Sequence, residues 1–257
     1  MKIKAKKEFG QNFLVDTNVL NVISNNINAN SDDLIIEIGP GRGALTEYLV
    51  SKTKVLAFEI DKDLIPILTS KFNDNLEVIN KDFLECNILE YINNYEYNNL
   101  YIVGNLPYYI TTPILEHIIK SNLKETSVTI MVQLEVANRF CAKPKSKDFG
   151  FFTVYLQSYY DAVKIIEVDN TSFDPAPKVK SAVIKLTPKE DKNIPSEKFI
   201  AFLKECFKEK RKTLNNNLKN FTTLDVKEVL VELKLNPMSR AEELSVQNFY
   251  SLYGKLV

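Results

Sequence analysis

A chain of 257 residues with 33 basic and 33 acidic side chains carries no net charge, and its 45% hydrophobic and 26% charged content fits a soluble protein long enough for one α/β body and a small appendage. No apolar run approaches the roughly 18 residues of a membrane span, and the opening Met1-Lys-Ile-Lys-Ala-Lys-Lys-Glu has no apolar signal region behind it, so a cytoplasmic protein without a membrane partner is expected. Cys86, Cys141 and Cys206 are too few and scattered for a disulfide framework or a Cys-x-x-Cys site, and the single histidine, His117, lacks the partners of a triad or zinc cluster; it is read as a packing residue and no metal is expected.

Along the chain, β-branched runs bounded by polar turns predict strands at Leu34 to Ile38, Lys54 to Ile60, Leu76 to Ile79, Leu100 to Gly104 and Val128 to Val132. Segments of helical period lie between them, such as Ala44 to Lys52 and Lys62 to Phe72, which is the pattern of βαβ units and a mostly parallel sheet. After Phe149 the pattern changes to strands without intervening helices, Val163 to Val168 and Ser181 to Leu186, as expected of an antiparallel edge. The α/β body, residues 1–188, ends near Pro188. A polar stretch then leads into residues of helical period from Glu197 to the C terminus, with Ser196 placed to cap the first helix and Asn236-Pro237 marking a break. Residues 189–257 are therefore expected to form a small all-helical domain.

The first predicted strand runs into Glu37-Ile-Gly-Pro-Gly-Arg-Gly43, which is expected to open a helix. Glycines allow a tight turn and a close approach of ligand to backbone, and a helix start offers unpaired N–H groups. Alone, such a turn is a dehydrogenase fingerprint or simply a loop. Glu59 closes the second strand 20 residues after Gly39, where a carboxylate can accept both hydroxyls of a ribose, and Asp82 follows the third strand in Lys81-Asp-Phe83, where an acid and an aromatic can hold an adenine. Either acid alone is an ordinary strand end; with the glycines they point to a nucleoside site. The third glycine is displaced from the dinucleotide spacing, and G-x-G-x-G resembles the S-adenosylmethionine (SAM)-dependent methyltransferases, which cradle no pyrophosphate.

Asn105-Leu-Pro-Tyr108 follows the fourth predicted strand, at the carboxyl edge of the sheet where ligands of open α/β folds bind. An adenine N6 amine is a poor nucleophile because its lone pair is delocalised into the ring, so it needs hydrogen-bond acceptors rather than a strong base. The Asn105 side-chain oxygen and the Leu106 carbonyl, held by the rigid Pro107, can each accept one N–H, and Tyr108 can stack on the base. The plain alternative is a strand end with a turn-forming Asn and Pro.

Asn-Leu-Pro-Tyr after a G-x-G-x-G turn is similar to the adenine-N6 methyltransferases, and further motifs narrow the likeness. Phe9-Gly-Gln-Asn-Phe-Leu14 and Phe173-Asp-Pro-Ala-Pro-Lys-Val-Lys-Ser-Ala182 resemble signatures of the ribosomal RNA adenine dimethyltransferases. Arg211-Lys-Thr-Leu-Asn-Asn-Asn-Leu218 and Arg240-Ala-Glu-Glu-Leu-Ser245 resemble its small-subunit, KsgA-type branch. The resemblance implies a Rossmann-like SAM-dependent methyltransferase domain with a small helical domain, dimethylating the N6 amines of two adjacent adenines in a hairpin loop of small-subunit (16S) ribosomal RNA. It implies that Gln11, Asn12, Leu14, Gly39, Gly41, Glu59, Ile60, Asp82, Phe83 and Asn105 line the SAM pocket. Asn105, Leu106, Pro107 and Tyr108 would face the target adenine, with Phe173 stacking on its other side. The family usually has Asn after the motif's Tyr, whereas this chain has Tyr109, which would narrow the target pocket and bears on the balance of mono- and dimethylation.

Two basic segments suit an RNA partner. Residues 1–12 hold Lys2, Lys4, Lys6 and Lys7 against Glu8, and residues 204–219, read as a helix, hold six basic side chains against Glu205 and Glu209. With the whole chain neutral, the expected partner is ribosomal RNA within an assembling 30S-type particle, bound by a monomer. The competing readings are the large-subunit relatives that confer macrolide resistance, disfavoured by the Arg211 and Arg240 motifs, and a DNA adenine methyltransferase, for which no large target-recognition domain is evident. A non-catalytic assembly factor and a nicotinamide-binding oxidoreductase complete the set.

Overall fold

A computed structural model describes residues 4–72, 74–121, 123, 126–190 and 195–257. The chain opens with β1 (Phe13–Leu14) and α1 (Thr17–Asn25), followed by β2 (Leu34–Ile38), α2 (Thr46–Leu49), β3 (Lys54–Phe58), α3 (Ile65–Lys71), β4 (Leu76–Ile79), α4 (Ile88–Ile92), β5 (Leu100–Asn105), α5 (Thr111–Lys120) and β6 (Ser127–Gln133). Next come α6 (Leu134–Phe140), α7 (Phe151–Gln157), β7 (Tyr160–Val168), β8 (Phe173–Asp174), β9 (Ser181–Pro188), α8 (Glu197–Cys206), α9 (Leu214–Asn217), α10 (Val226–Glu232) and α11 (Val246–Leu256). Among the described residues no helix is long and apolar enough to cross a membrane.

Seven strands form one sheet in the order β4-β3-β2-β5-β6-β9-β7, and β1 pairs antiparallel with β8 in a separate two-stranded ladder. From β4 to β6 all pairings are parallel, and β9 runs antiparallel to β6, the edge the sequence pattern predicts. Every residue of β2 is buried, as a central parallel strand covered on both faces requires. Ile35, Val55, Ala57, Val103, Met131 and Val183 pack one face into a core with Val19, Leu20 and Ile23 of α1 and Leu49 and Leu68 of α2 and α3. Each such aliphatic side chain contributes about 1.5–3 kcal/mol through burial. The strand order reverses between β2 and β5, so their carboxyl ends diverge into a crevice. Gly104, paired with Ile38 across that seam, permits the approach: a Cβ there would stand 2.7 Å from the Ile38 carbonyl oxygen.

The chain forms two compact units, one of residues up to Ala137 with Val163–Pro188, the other of Asn138–Ala162 with Lys189–Val257. The boundary expected near Pro188 is one of the breaks, but residues 138–162 belong with the helical unit. Ala142, Phe149 and Val154 share its core with Phe199, Leu203, Leu230 and Leu252. Helix α7 is the element the sequence hides, because Phe151-Phe-Thr-Val-Tyr is a run of strand formers and tertiary packing overrides their propensity. Two helices are shorter than predicted: α2 keeps only Thr46–Leu49 between turns, and α3 spans Ile65–Lys71. Ser196 caps α8, its Oγ accepting from the Phe199 amide at 3.1 Å. The basic segment 204–219 is not one helix: α8 stops at Cys206 and a turn precedes α9.

Candidate active site

At the carboxyl ends of β2, β3 and β5 the first unit opens a cleft. Gln11, Asn12, Gly39, Gly41, Glu59, Ile60, Asp82, Phe83 and Asn105 line it, all singled out from sequence, as does Pro107 of the catalytic motif. Leu14 does not; it borders a smaller adjoining pocket with Glu37 and Arg42.

The glycine turn does not open directly into a helix, since residues 41–45 form turns before α2. Its three glycine amides are committed internally: Gly39 N–H donates to the Phe58 carbonyl at 2.9 Å, Gly43 N–H to that of Pro40 at 2.9 Å, and Gly41 N–H to Glu59 Oε2 at 3.0 Å. A pyrophosphate would meet a carboxylate there instead of free N–H donors, so the geometry opposes the dinucleotide reading. Gly41 is held at φ 59°, and a Cβ on it would lie 2.9 Å from the Phe13 ring. Only glycine fits both restraints.

Glu59 is buried at 4% exposure, with Oε1 accepting from the Asp61 amide at 2.9 Å. Burial raises its pKa, and the backbone N–H bonds oppose the rise. Each carboxylate oxygen has a second lone pair, so the group can still receive a pair of hydroxyls from the cleft side. Glu37, wholly buried behind the turn, is pushed up to about 8 by desolvation; the 2.7 Å bond from Thr46 Oγ1 lowers it and the charge of Glu59 raises it.

Asp82 ends the β4 loop, with Oδ1 accepting from the Leu84 amide at 2.9 Å. Phe83 is wedged edge-on between Phe58, at 5.3 Å, and His117, at 5.6 Å, forming an aromatic floor. The packing role read for His117 is what the structure shows: its Nε2 also lies 3.0 Å from the Cys86 carbonyl oxygen.

Asn105, the last residue of β5, donates from Nδ2 to the Asn12 carbonyl at 2.9 Å. That bond fixes the amide orientation and leaves Oδ1 as the group able to accept a hydrogen bond from a ligand. Leu106 is buried, its amide bonded to the Met131 carbonyl at 3.2 Å, which anchors the motif's backbone to β6.

Tyr108 and Phe173, read as facing the target adenine, do not line this cleft. The Tyr108 hydroxyl lies 2.8 Å from Ser181 Oγ, and burial raises its pKa against that bond. Phe173 is 5% exposed and sits in the core with Leu14 and Val183, while its backbone pairs with Leu14. The aromatic at the mouth is instead Tyr109, 65% exposed, whose ring covers Gly10 at 3.2 Å from a would-be Cβ. Sequence reasoning also left out Phe9, Phe13, Ile38, Phe58, Ile110 and Ile114 of the apolar lining. Phe9 and Phe13 stand inside the quoted Phe9 to Leu14 motif, a signal that was present; Phe58 and Ile114 look like any core residue of a strand or helix.

This crevice architecture defines a class, the Rossmann-like methyltransferases. The structure superposes on a dimethyladenosine transferase from Plasmodium falciparum with TM-score 0.79 and 25% identity over 95% of this chain and 96% of that one. On the 23S rRNA methyltransferase ErmE the TM-score is 0.77 at 24% identity, over 95% and 99%, a likeness of fold. Within the class the assignment is narrower: residues 2–256 match the family described as ribosomal RNA adenine dimethylase, and the chain belongs to that family. It is 43% identical to the ribosomal RNA small subunit methyltransferase A of Mycoplasmopsis pulmonis, over 99% of this chain and 100% of the relative, and 39% identical to that of Lactococcus lactis, over 98% and 90%.

Proposed function

We propose that this methyltransferase dimethylates the N6 amines of two adjacent adenines in a hairpin loop of small-subunit ribosomal RNA, acting in the cytoplasm on an assembling particle. The observation that carries the reading is the Asn105 amide, turned by the Asn12 carbonyl so that its oxygen is the acceptor at the crevice. The likeness to small-subunit enzymes over nearly the full chain supports the choice of RNA.

The residues fit SAM: Glu59 would take the ribose hydroxyls, Asp82 and Phe83 the adenine, and a turn whose glycine amides are already bonded suits a ligand that brings no phosphate. When bound, SAM supplies an electrophilic methyl group on a sulfonium. Asn105 Oδ1 and the Leu106 carbonyl would accept hydrogen bonds from the two N6–H groups of the target in the first transfer, leaving the nitrogen lone pair free for the methyl, and the proton shed by the methylated amine would pass to water. Positive charge develops on the amine during transfer, which makes these acceptors bind more tightly in the transition state than in the ground state. Alignment of two bound reactants can itself recover roughly 7–11 kcal/mol of barrier. The adenine must leave its stack to reach the crevice, which costs least in a single-stranded loop.

The second unit supplies a phosphate-binding surface broader than the segment read from sequence. Lys145 N–H donates to the Glu242 carbonyl at 2.7 Å, and Lys210 Nζ to the Lys147 carbonyl at 3.0 Å. These bonds gather exposed Lys143, Lys145, Lys147, Lys210, Arg211, Lys212 and Arg240 from three loops onto one unit. At the N terminus, Lys6 is instead committed to Asp61 and Asp63, and Lys2 lies outside the described residues.

Expression in a bacterial strain lacking small-subunit dimethyladenines tests the proposal. The unchanged chain should restore them and Asn105→Ala should not; failure of the unchanged chain, or methylation of large-subunit RNA instead, refutes it.

A further inference from the structure

Residues 6–13 run across the cleft as a strap. Its downstream end is fixed by backbone pairing: β1 is zipped to β8, Val15 N–H donates to the Ser172 carbonyl at 2.9 Å, and the Asn12 carbonyl holds Asn105. Its middle, Phe9, Gln11, Asn12 and Phe13, forms one wall of the cleft, and Gly10, at φ 61°, tucks against the Tyr109 ring. Among the described residues, the upstream end is held to the rest of the unit by side chains. Lys6 Nζ lies 2.6 Å from Asp61 Oδ1 and 2.6 Å from Asp63 Oδ2, and Gln11 Nε2 donates to Asp61 Oδ2 at 2.9 Å. Lys6 N–H donates to Gln11 Oε1 at 2.8 Å, closing the loop on itself.

The receiving group is unusual for a surface latch. Asp61 is only 1% exposed, and an isolated buried carboxylate is costly unless paired. Burial works against its charge, yet the bonds from Lys6 and Gln11 prevail and its pKa lies below the usual value. Asp61 also donates its own N–H to Glu59 Oε1, so the latch connects to the carboxylate that faces the ribose. Lys6 is still 29% exposed while the Asp61 side chain is fully buried, so water and salt reach the pair from the lysine end.

Resting on the reading that the cleft holds SAM, we propose that Lys6 and Asp61 are positioning residues. They clasp the strap over the bound nucleoside, and opening of the clasp governs cofactor uptake and release of S-adenosylhomocysteine. The clasp touches no reacting atom, so it should set how long the ligand stays and not how fast the methyl moves.

The test uses the full chain with Asp61→Asn, Lys6→Met and Lys6→Arg, reading the dissociation rate of radiolabelled S-adenosylhomocysteine, steady-state kinetics, and hydrogen exchange of amides 7–13 without ligand. Asp61→Asn and Lys6→Met should each raise the dissociation rate and the KM for SAM about tenfold or more and leave kcat within threefold. The same two variants should speed exchange across the strap, and Lys6→Arg should restore wild-type behaviour. Added salt should hasten release from the unchanged protein and not from Lys6→Met. Unchanged exchange and release in both variants overturns the clasp, as does an equal fall in kcat and thermal stability that Lys6→Arg fails to repair. An unchanged protein that binds no S-adenosylhomocysteine would overturn the reading of the cleft, and gating with it, even where the exchange arm shows the clasp itself.

Discussion

Replacing Asn105 by alanine separates the two jobs its amide performs. The Nδ2 donor ties down the Asn12 carbonyl at 2.9 Å in a partly buried setting, a bond worth about 0.5–1.5 kcal/mol net. Losing it loosens the strap beside the cofactor, so SAM affinity should fall by no more than about tenfold, or 1.4 kcal/mol. The Oδ1 acceptor acts on an amine that gains charge only as the methyl arrives, and removing one group aimed at developing charge typically costs about 2.7–4 kcal/mol, or roughly 10²–10³ in kcat. Asn105→Asp retains an acceptor but places a carboxylate oxygen against the Asn12 carbonyl, so it should weaken SAM binding more than alanine does. Calorimetry gives the affinities, and single-turnover transfer with saturating SAM gives the rates. A normal single-turnover rate in Asn105→Ala, with the defect confined to SAM binding, would refute this division.

Phe173, buried in the core, should report on stability: Phe173→Ala should cost about 3–5 kcal/mol in denaturant unfolding, and loss of kcat with an unchanged midpoint would return it to the base-stacking role. Gly41→Ala should lose about 1–2 kcal/mol from its left-handed φ alone, with further loss as the new methyl displaces Phe13 from the cleft wall, both visible in thermal melts and SAM titration. Glu37 has a folded pKa raised to about 8, so its contribution is fully present below the unfolded value near 4.5 and is lost as pH climbs through 8. Stability should therefore decline over that window, by at most about 4–5 kcal/mol from this group, and Glu37→Gln should flatten the profile; an unaltered slope in urea melts between pH 5 and 8 would contradict it. Lys147→Ala and Arg211→Ala should each lower the salt slope of RNA binding by about 0.7–0.9 per lost phosphate contact, and an unchanged slope would remove that surface from the interface.

Much of the fold was legible because its signals are local. Runs such as Leu34 to Ile38 are apolar on both faces only where a parallel sheet buries them, and turns such as Glu37 to Gly43 mark where they end. Glu59, Asp82 and Asn105 each end or follow a strand, so finding the strands located the crevice. What escaped depends on packing between distant segments. Helix α7 is made of strand formers and is helical because Phe149 and Val154 complete a core with residues as distant as Leu252. Phe173 was placed at the site by the resemblance, whereas its side chain is 5% exposed among core residues. Lys6 counted as a free positive charge until Asp61 and Asp63 stood opposite it.

The most direct test of the central claim is to incubate the purified protein with isotopically labelled SAM and small-subunit particles lacking dimethyladenine, alongside large-subunit RNA and DNA, and to identify labelled nucleosides by mass spectrometry. Label in N6,N6-dimethyladenosine from the small-subunit particle alone is the predicted result. Label in large-subunit RNA or DNA, or bound SAM with no transfer to any of the three, would contradict it.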